Sequence, residues 1–329
     1  MANELIPDID PALQPTPEDL SFDLKEALRA IYLIRTRAPE DGFTVQSLGA
    51  ERAGHAVLID ARGILLTIGY LVVEAESVWL VDADGAAVEG HVLGADTETG
   101  FGLVQMLGRP SNKPLPIGTA EDLEVGDRAI LAGYGGCSQA VDVEVVGRRE
   151  FAGYWEYLLD KAIFTSPPHP FWGGAALIGE DGTLKGIGSL YVQEGAHDGE
   201  DDEDAREGNM IVPIDLLDTI KDDLLNSGQR MTPPRPWLGM FSAEQAGKVV
   251  IAGLWDGGPA DNAGLEAGDL VLEISDTPVT SMAAMYRTIW SLGSAGVKVP
   301  MTIFRDKRII EIEIESASRT DFYKKPGLH

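Results

Sequence analysis

The stretch Phe164–Leu177 reads FTSPPHPFWGGAAL, and its chemistry is unusual for a loop between β-like runs. Pro167, Pro168 and Pro170 fix their own φ angles and carry no backbone N–H, so Pro170 has nothing to donate. Trp172 is bulky and has no nucleophilic atom. Gly173 and Gly174 then let the backbone pass close to other chain segments. The stretch is flanked by YLLDKAIF before it and by AALIGEDG and KGIGSLYV after it, all short apolar runs bounded by turn residues.

The same rhythm extends towards the N-terminus through AVLID, ILLTIG, SVWLVDADG, AVEGHVLG, FGLVQML, AILAGYG and VDVEVVG. Many short strands at regular spacing predict a mainly β barrel or sandwich. Residues 1–20 are acidic and punctuated by proline, which predicts an arm. Ser21–Arg37 places Leu24, Ala27, Leu28 and Ile31 at helical spacing, predicting a short helix capped by Ser21 or Asp23. Between Asp198 and Glu207 there are seven acids and one arginine, so 194–208 reads as a solvated acidic loop. It lacks the spacing of a calcium loop.

Pro213–Ser227 predicts a second helix with Leu216, Leu217, Ile220 and Leu224 on one face, stopped by Gly228. MTPPRP, within 231–236, is a stiff linker. A smaller domain follows over 237–316, with strand-like VVIAGL, DLVLEIS, PMTIF and IIEIEIE and a helix near Ala283–Leu292. The tail, 317–329, is expected to be loose.

Composition narrows the functions. The chain has 329 residues and a formal net charge of −27, which argues against nucleic acid and against anionic membrane surfaces. No apolar run approaches a membrane span, the start MANELIPDIDPALQPTPEDL has no leader pattern, and Cys137 is the single cysteine. These features lead to an expectation of a cytoplasmic protein. Five histidines without paired spacing predict no zinc site, and no cofactor is expected.

Taken in order, the landmarks resemble the HtrA/DegP-like serine proteases, a trypsin-like double β-barrel followed by a PDZ domain. The resemblance rests on GHAVLIDARGILLTIGYLV (54–72), LGADTETGFGLVQM (93–106), SPPHPFWGGAAL (166–177) and GNMIVPIDLLDTI (208–220). In the second domain it rests on PWLGM (236–240) and GGPADNAGLEAGDLVLEISDTPVTSM (257–282). It implies a protease-fold domain over 21–230 and a PDZ domain over 237–316.

Carried over residue by residue, the resemblance puts Tyr70 at the catalytic histidine position, Gly100 at the aspartate position and Trp172 at the serine position. Pro170 falls where an oxyanion donor is expected. Tyrosine, with a pKa near 10, is a poor base at neutral pH, and glycine orients nothing. The implied protein is an HtrA-like fold without the protease chemistry. Cys137 is an alternative nucleophile, with His55 or His169 as its base; Ser166 lies six residues from Trp172. The aromatics Tyr70, Phe101, Tyr134, Phe151, Tyr154, Trp155, Tyr157, Phe171 and Trp172 are expected either to plug the vacated cleft or to floor an apolar pocket.

In a PDZ domain a ligand's C-terminal strand adds to a sheet edge, and backbone N–H groups hold its carboxylate. The resemblance therefore implies peptide binding by Trp237, Leu238, Gly239 and Met240, with Met285 and Ile289 lining the side-chain pocket. Arg235 would add a favourable charge. Three functions follow: an inactive binding scaffold or regulator for C-terminal or extended peptides, a hydrolase with a rebuilt site, or a structural subunit of a larger complex. Family members commonly form trimers, so the resemblance also implies a homo-oligomer.

Overall fold

The computed structural model describes residues 9–194 and 206–324. Two closed antiparallel barrels carry the first part of the chain. The first contains β1 (Ile31–Arg37), β2 (Glu51–Asp60), β3 (Ile64–Ile68), β4 (Ser77–Val81), β5 (Ala87–Ala95) and β6 (Phe101–Met106), in the order β1-β2-β3-β6-β5-β4. The second contains β7 (Arg128–Ala132), β8 (Ala140–Gly153), β9 (Tyr157–Ser166), β10 (Ala176–Gly179), β11 (Leu184–Glu194) and β12 (Arg206–Pro213), in the order β10-β11-β12-β9-β8-β7. Closure removes the open edges that such short strands would otherwise leave unpaired.

A separate sheet orders β13 (Met240–Gln245), β14 (Lys248–Leu254), β15 (Leu270–Ile274), β17 (Lys298–Arg305) and β18 (Arg308–Glu315), with β16 (Thr277–Pro278) pairing on β15. The helix Met282–Ser291 packs on it through Ala283, Met285, Tyr286 and Ile289, and the Ser281 hydroxyl caps it by accepting from the Ala284 amide. The described residues divide into two compact units: 9–149 with 161–194, 206–230 and 324, and 150–160 with 231–323. Residues 150–160, the tip of the β8–β9 hairpin, thus belong to the second unit.

Several expectations change. The helix predicted over Ser21–Arg37 is a single turn, Leu24–Leu28, capped by Asp23. Ile31–Arg37 is a strand pairing with both β2 and β4. Its β-branched and aromatic residues Ile31, Tyr32, Ile34 and Thr36 suit a strand, and pairing on both edges overrides the weak helical spacing upstream. The helix predicted over Pro213–Ser227 is a 3-10 segment, Ile214–Thr219, followed by a short α-helix, Lys221–Ser227. Gly228 does end it, in the left-handed conformation at φ 70°.

Residues 9–20 of the predicted arm form two 3-10 turns, Pro11–Leu13 and Pro17–Asp19, with Ile9 buried. The flanks of the acidic loop are strand, since Glu194 ends β11 and Arg206–Gly208 begin β12; the intervening residues lie outside the described ones. The tail is ordered at its start. Ala317 pairs with Trp237, Arg319–Phe322 form a 3-10 turn, and the Phe322 ring packs on Trp237 at 4.9 Å.

Candidate functional site

The loop carrying Trp172 is stitched between the two barrels. The Gly173 carbonyl accepts from the His55 amide on β2 at 2.8 Å, and the Gly174 amide donates to Gly188 on β11 at 2.9 Å. Gly174 sits at φ 80°, and a Cβ there would lie 1.9 Å from the His55 carbonyl oxygen. Only glycine fits that approach.

Tyr70 lies on the turn Gly69–Leu71 that leaves β3. Buried Arg52 fixes this turn by donating to the carbonyls of Tyr70 and Val73. The Gly69 amide donates to the Gly100 carbonyl at 2.6 Å, which brings Gly100 beside the tyrosine. The Tyr70 hydroxyl donates to the Ser189 carbonyl at 2.9 Å and lies against Gly173, where a Cβ would stand 2.8 Å from its oxygen. Burial raises its pKa further above the ordinary phenol value, so it stays neutral. Tyr70, Gly100 and Trp172 therefore meet at one place. Trp172 is half-buried, its ring 5.7 Å from that of Tyr191. Pro170 is exposed.

Next to this place stand two fully buried histidines. His55 Nδ1 accepts from the Tyr134 amide at 3.0 Å, which leaves Nε2–H to donate to the Phe171 carbonyl at 2.9 Å. His169 Nδ1 accepts from the Phe171 amide at 3.1 Å, and its Nε2–H donates to the Gln139 carbonyl at 3.1 Å. Both imidazoles are neutral, with every ring nitrogen taken by backbone. Burial, then the neighbouring His169, hold His55 down at about 3. Burial holds His169 at about 4 against the pull of the Gln139 and Phe171 backbone. Their job here is to strut the Trp172 loop. Cys137 is half-buried on the one-turn segment Gly136–Gln139, and the Ser166 hydroxyl donates to the Glu207 carbonyl at 2.9 Å.

Asp96, four residues before Gly100, is buried and receives the guanidinium of Arg230 on both oxygens at 3.0 Å. It also accepts from the Thr99 amide and hydroxyl. Burial pushes this carboxyl up, but Arg230 and Thr99 hold it below its ordinary value. It organises the turn before β6.

The expected aromatic cluster separates into different places. Phe101 is core of the first barrel. Phe171 packs on His55 at 4.6 Å. Trp155 stacks on Tyr157 at 5.5 Å within the second unit, where Phe151 and Tyr154 also lie. Among the described residues no group of three or more His, Cys, Asp or Glu could hold a metal ion.

In the second unit, Leu238, Gly239 and Met240 present their amides to one point, with Gly239 at φ 77°. That point holds the Glu156 carboxylate: one oxygen accepts from Leu238 at 2.9 Å, the other from Gly239 at 2.7 Å and Met240 at 3.0 Å. Burial pushes Glu156 up to about 7, opposed by these amides and by Arg319. Leu238, Met240, Met285 and Ile289 line one buried apolar cluster, which also contains Leu158. Trp237 has its backbone paired with Ala317 and its ring on Phe322, and the same ring packs beside Gly239, where a Cβ would stand 3.0 Å from it. The Arg235 guanidinium stacks on the Trp290 ring at 4.3 Å. Glu156 was not foreseeable from local pattern, because it lies 82 residues before Leu238.

A trypsin-like peptidase domain model matches residues 54–187, and a PDZ domain model matches residues 228–315. The putative serine protease HhoA of Synechocystis is 23% identical over 290 residues, 80% of this chain and 70% of its own. A probable periplasmic serine endoprotease, DegP-like, of Pseudomonas fluorescens is 24% identical over 80% of this chain, which spans only 56% of that relative. The serine endoprotease DegS of Salmonella typhimurium is 22% identical, with 94% of this chain and 88% of the relative aligned. Among solved structures, the HtrA-type protease AlgW with decapeptide superposes with a TM-score of 0.53 at 18% identity, covering 92% of this chain and 98% of that one. A serine endoprotease from Yersinia pestis superposes at 0.51 and 18% identity, covering 89% and 96%. The double barrel followed by a separate sheet is a trypsin-like peptidase domain with a C-terminal PDZ domain, and in that order of domains the chain is similar to the HtrA/DegP-like proteases.

Proposed function

We propose that this HtrA-like protein has no peptidase activity and works by binding, as a scaffold or regulator that uses its PDZ groove for C-terminal or extended peptides. The observation that carries the reading is that the Tyr70 hydroxyl, against Gly173 beside Trp172, stands where the resemblance expects a histidine base next to a serine. A nucleophile needs an attacking oxygen or sulfur activated by a nearby base, and neither side chain supplies one. The rebuilt-hydrolase alternative loses support because His55 and His169 spend both ring nitrogens on backbone groups.

The direct test is the full chain treated with a fluorophosphonate probe and, separately, offered casein. No labelled residue and no cleavage above the buffer rate is the expected result. A stoichiometrically labelled serine, with casein turnover, would overturn the reading.

The structural-subunit reading has one observation in its favour: the amides that would receive a ligand carboxylate already hold Glu156. A cytoplasmic location and a trimeric state belong to the same proposal, and cell fractionation and light scattering test them.

A further inference from the structure

The segment Gly153–Leu158 lies in the PDZ groove in the manner of a bound peptide. β13 is an edge strand of its sheet. At its start the amides of Leu238, Gly239 and Met240 hold the Glu156 carboxylate. Two residues further along β13, the Ser242 amide donates to the Tyr154 carbonyl at 2.8 Å. Moving up β13 by two residues thus moves back along the segment by two, which is antiparallel strand addition. The Tyr286 hydroxyl, on the helix Met282–Ser291, donates to the Gly153 carbonyl at 3.0 Å.

Glu156 then turns at φ 60°, a conformation uncommon for a residue with a side chain. Leu158, just beyond the turn, joins the apolar cluster of Leu238, Met240, Met285 and Ile289. Terminal carboxylate, last side chain and strand pairing are each reproduced by an internal stretch of chain.

We propose that Gly153–Leu158 is a built-in ligand that closes the PDZ groove, and that a peptide enters only by displacing it. This rests on the reading of the groove as a peptide site. The segment also describes the competitor. A free C-terminal carboxylate replaces that of Glu156, an aliphatic last side chain replaces Leu158, and an aromatic two residues earlier replaces Tyr154. Entry costs the three amide bonds to Glu156 and the burial of Leu158, so the apparent affinity falls by the fraction of molecules with the segment out.

The probe is a fluorescein-labelled heptapeptide, Ser-Gly-Gly-Gly-Tyr-Trp-Leu, with a free carboxylate, and its C-terminally amidated form as control. Binding to the full chain is read by fluorescence polarisation, alongside amide NMR shifts of Leu238, Gly239 and Met240. Glu156→Ala removes the plug's carboxylate. Glu156→Gln keeps its shape without the charge, in case the alanine variant folds poorly.

The expected result is binding of the free-carboxylate peptide at least tenfold tighter by either folded variant than by the wild type, with those three amides already shifted in the unliganded variants. Equal, carboxylate-dependent affinity in wild type and variants would overturn the built-in ligand while leaving the peptide-binding reading intact. Shifted amides with no peptide bound by any form would overturn both the peptide-binding reading and the displacement step, leaving the segment as a fixed part of the fold. Unshifted amides in a folded Glu156→Ala protein would overturn the built-in ligand outright.

Discussion

His55 and His169 meet edge to face, their ring centroids 5.9 Å apart, and each gives both nitrogens to backbone groups around the Trp172 loop. Their folded values of about 3 and 4 lie below the ordinary 6.5. A depressed histidine contributes stability above pH 6.5 that is lost as the pH falls towards its folded value, because the unfolded chain takes up the protons first. Over two pH units, two such groups amount to roughly 5 kcal/mol, comparable to the stability of a whole domain. The barrel unit is expected to unfold between about pH 5 and 4, and His55→Gln should reduce the steepness of its stability against pH by about one proton. Urea melts at stepped pH values check this; an unchanged steepness would remove the role given to His55.

Glu156 runs the other way. Its folded value is raised from 4.5 to about 7, so its contribution is fully present below pH 4.5 and is lost as the pH climbs to about 7. The groups facing it are Arg319 and Tyr286. Arginine stays charged, and burial keeps the Tyr286 phenol neutral, so neither titrates in this window. The second unit should become more stable on acidification from pH 7.5 to 5.5, while the barrel unit begins to weaken once the pH falls below about 6.5. Hydrogen exchange resolved by region tests it, with Glu156→Gln expected to flatten the trend. A second unit that loosens along with the barrels would contradict it.

Replacing Trp172 by serine is expected to leave the chain without peptidase activity. Tyr70 would still stand at the base position, and the two histidines would remain tied to backbone. Casein turnover by Trp172→Ser within tenfold of the buffer rate fits this account. A rate a thousandfold above it would mean that a general base is in reach after all.

Asp96 and Arg230 form a nearly dry ion pair, with side chains 3% and 18% exposed. Removing Asp96 leaves Arg230 only the longer contact to Glu98 at 3.9 Å, so the cost stays at or below about 3–5 kcal/mol, that of a fully unpaired buried charge. Asp96→Ala should lower the urea midpoint of the barrel unit accordingly, and Asp96→Ala with Arg230→Met should recover part of the loss. No recovery in the double variant would place the cost in the Thr99 turn instead.

Much of the fold was readable in the sequence because its signals are local. Alternating and apolar runs such as ILLTIG and AALIG predict strands, Gly228 predicts a helix stop, and the ordered landmarks resemble a known two-domain family. Ile31–Arg37 was misread because its spacing suits helix and strand alike, and pairing with β2 and β4 decided between them. The amides of Leu238, Gly239 and Met240 were suggested by PWLGM, but nothing near them names their occupant. The linker and tail also hid their contacts, Arg235 on Trp290 and Phe322 on Trp237, because ring packing leaves no periodic trace.

By itself the sequence determined the mainly β class, the barrel-then-sheet order and the side chains present at Tyr70, Gly100 and Trp172, since these follow from periodicity, turn chemistry and residue identity. Only the tertiary structure decided what those side chains touch. It placed the Tyr70 hydroxyl against Gly173 and on the Ser189 carbonyl, set two neutral histidines as struts under one loop and put Glu156 into the amides of Leu238, Gly239 and Met240. The physical reason is separation along the chain: such contacts form only when closure of the barrels and the sheet brings distant backbone amides and buried side chains together, and their energies depend on burial that no local stretch of sequence encodes.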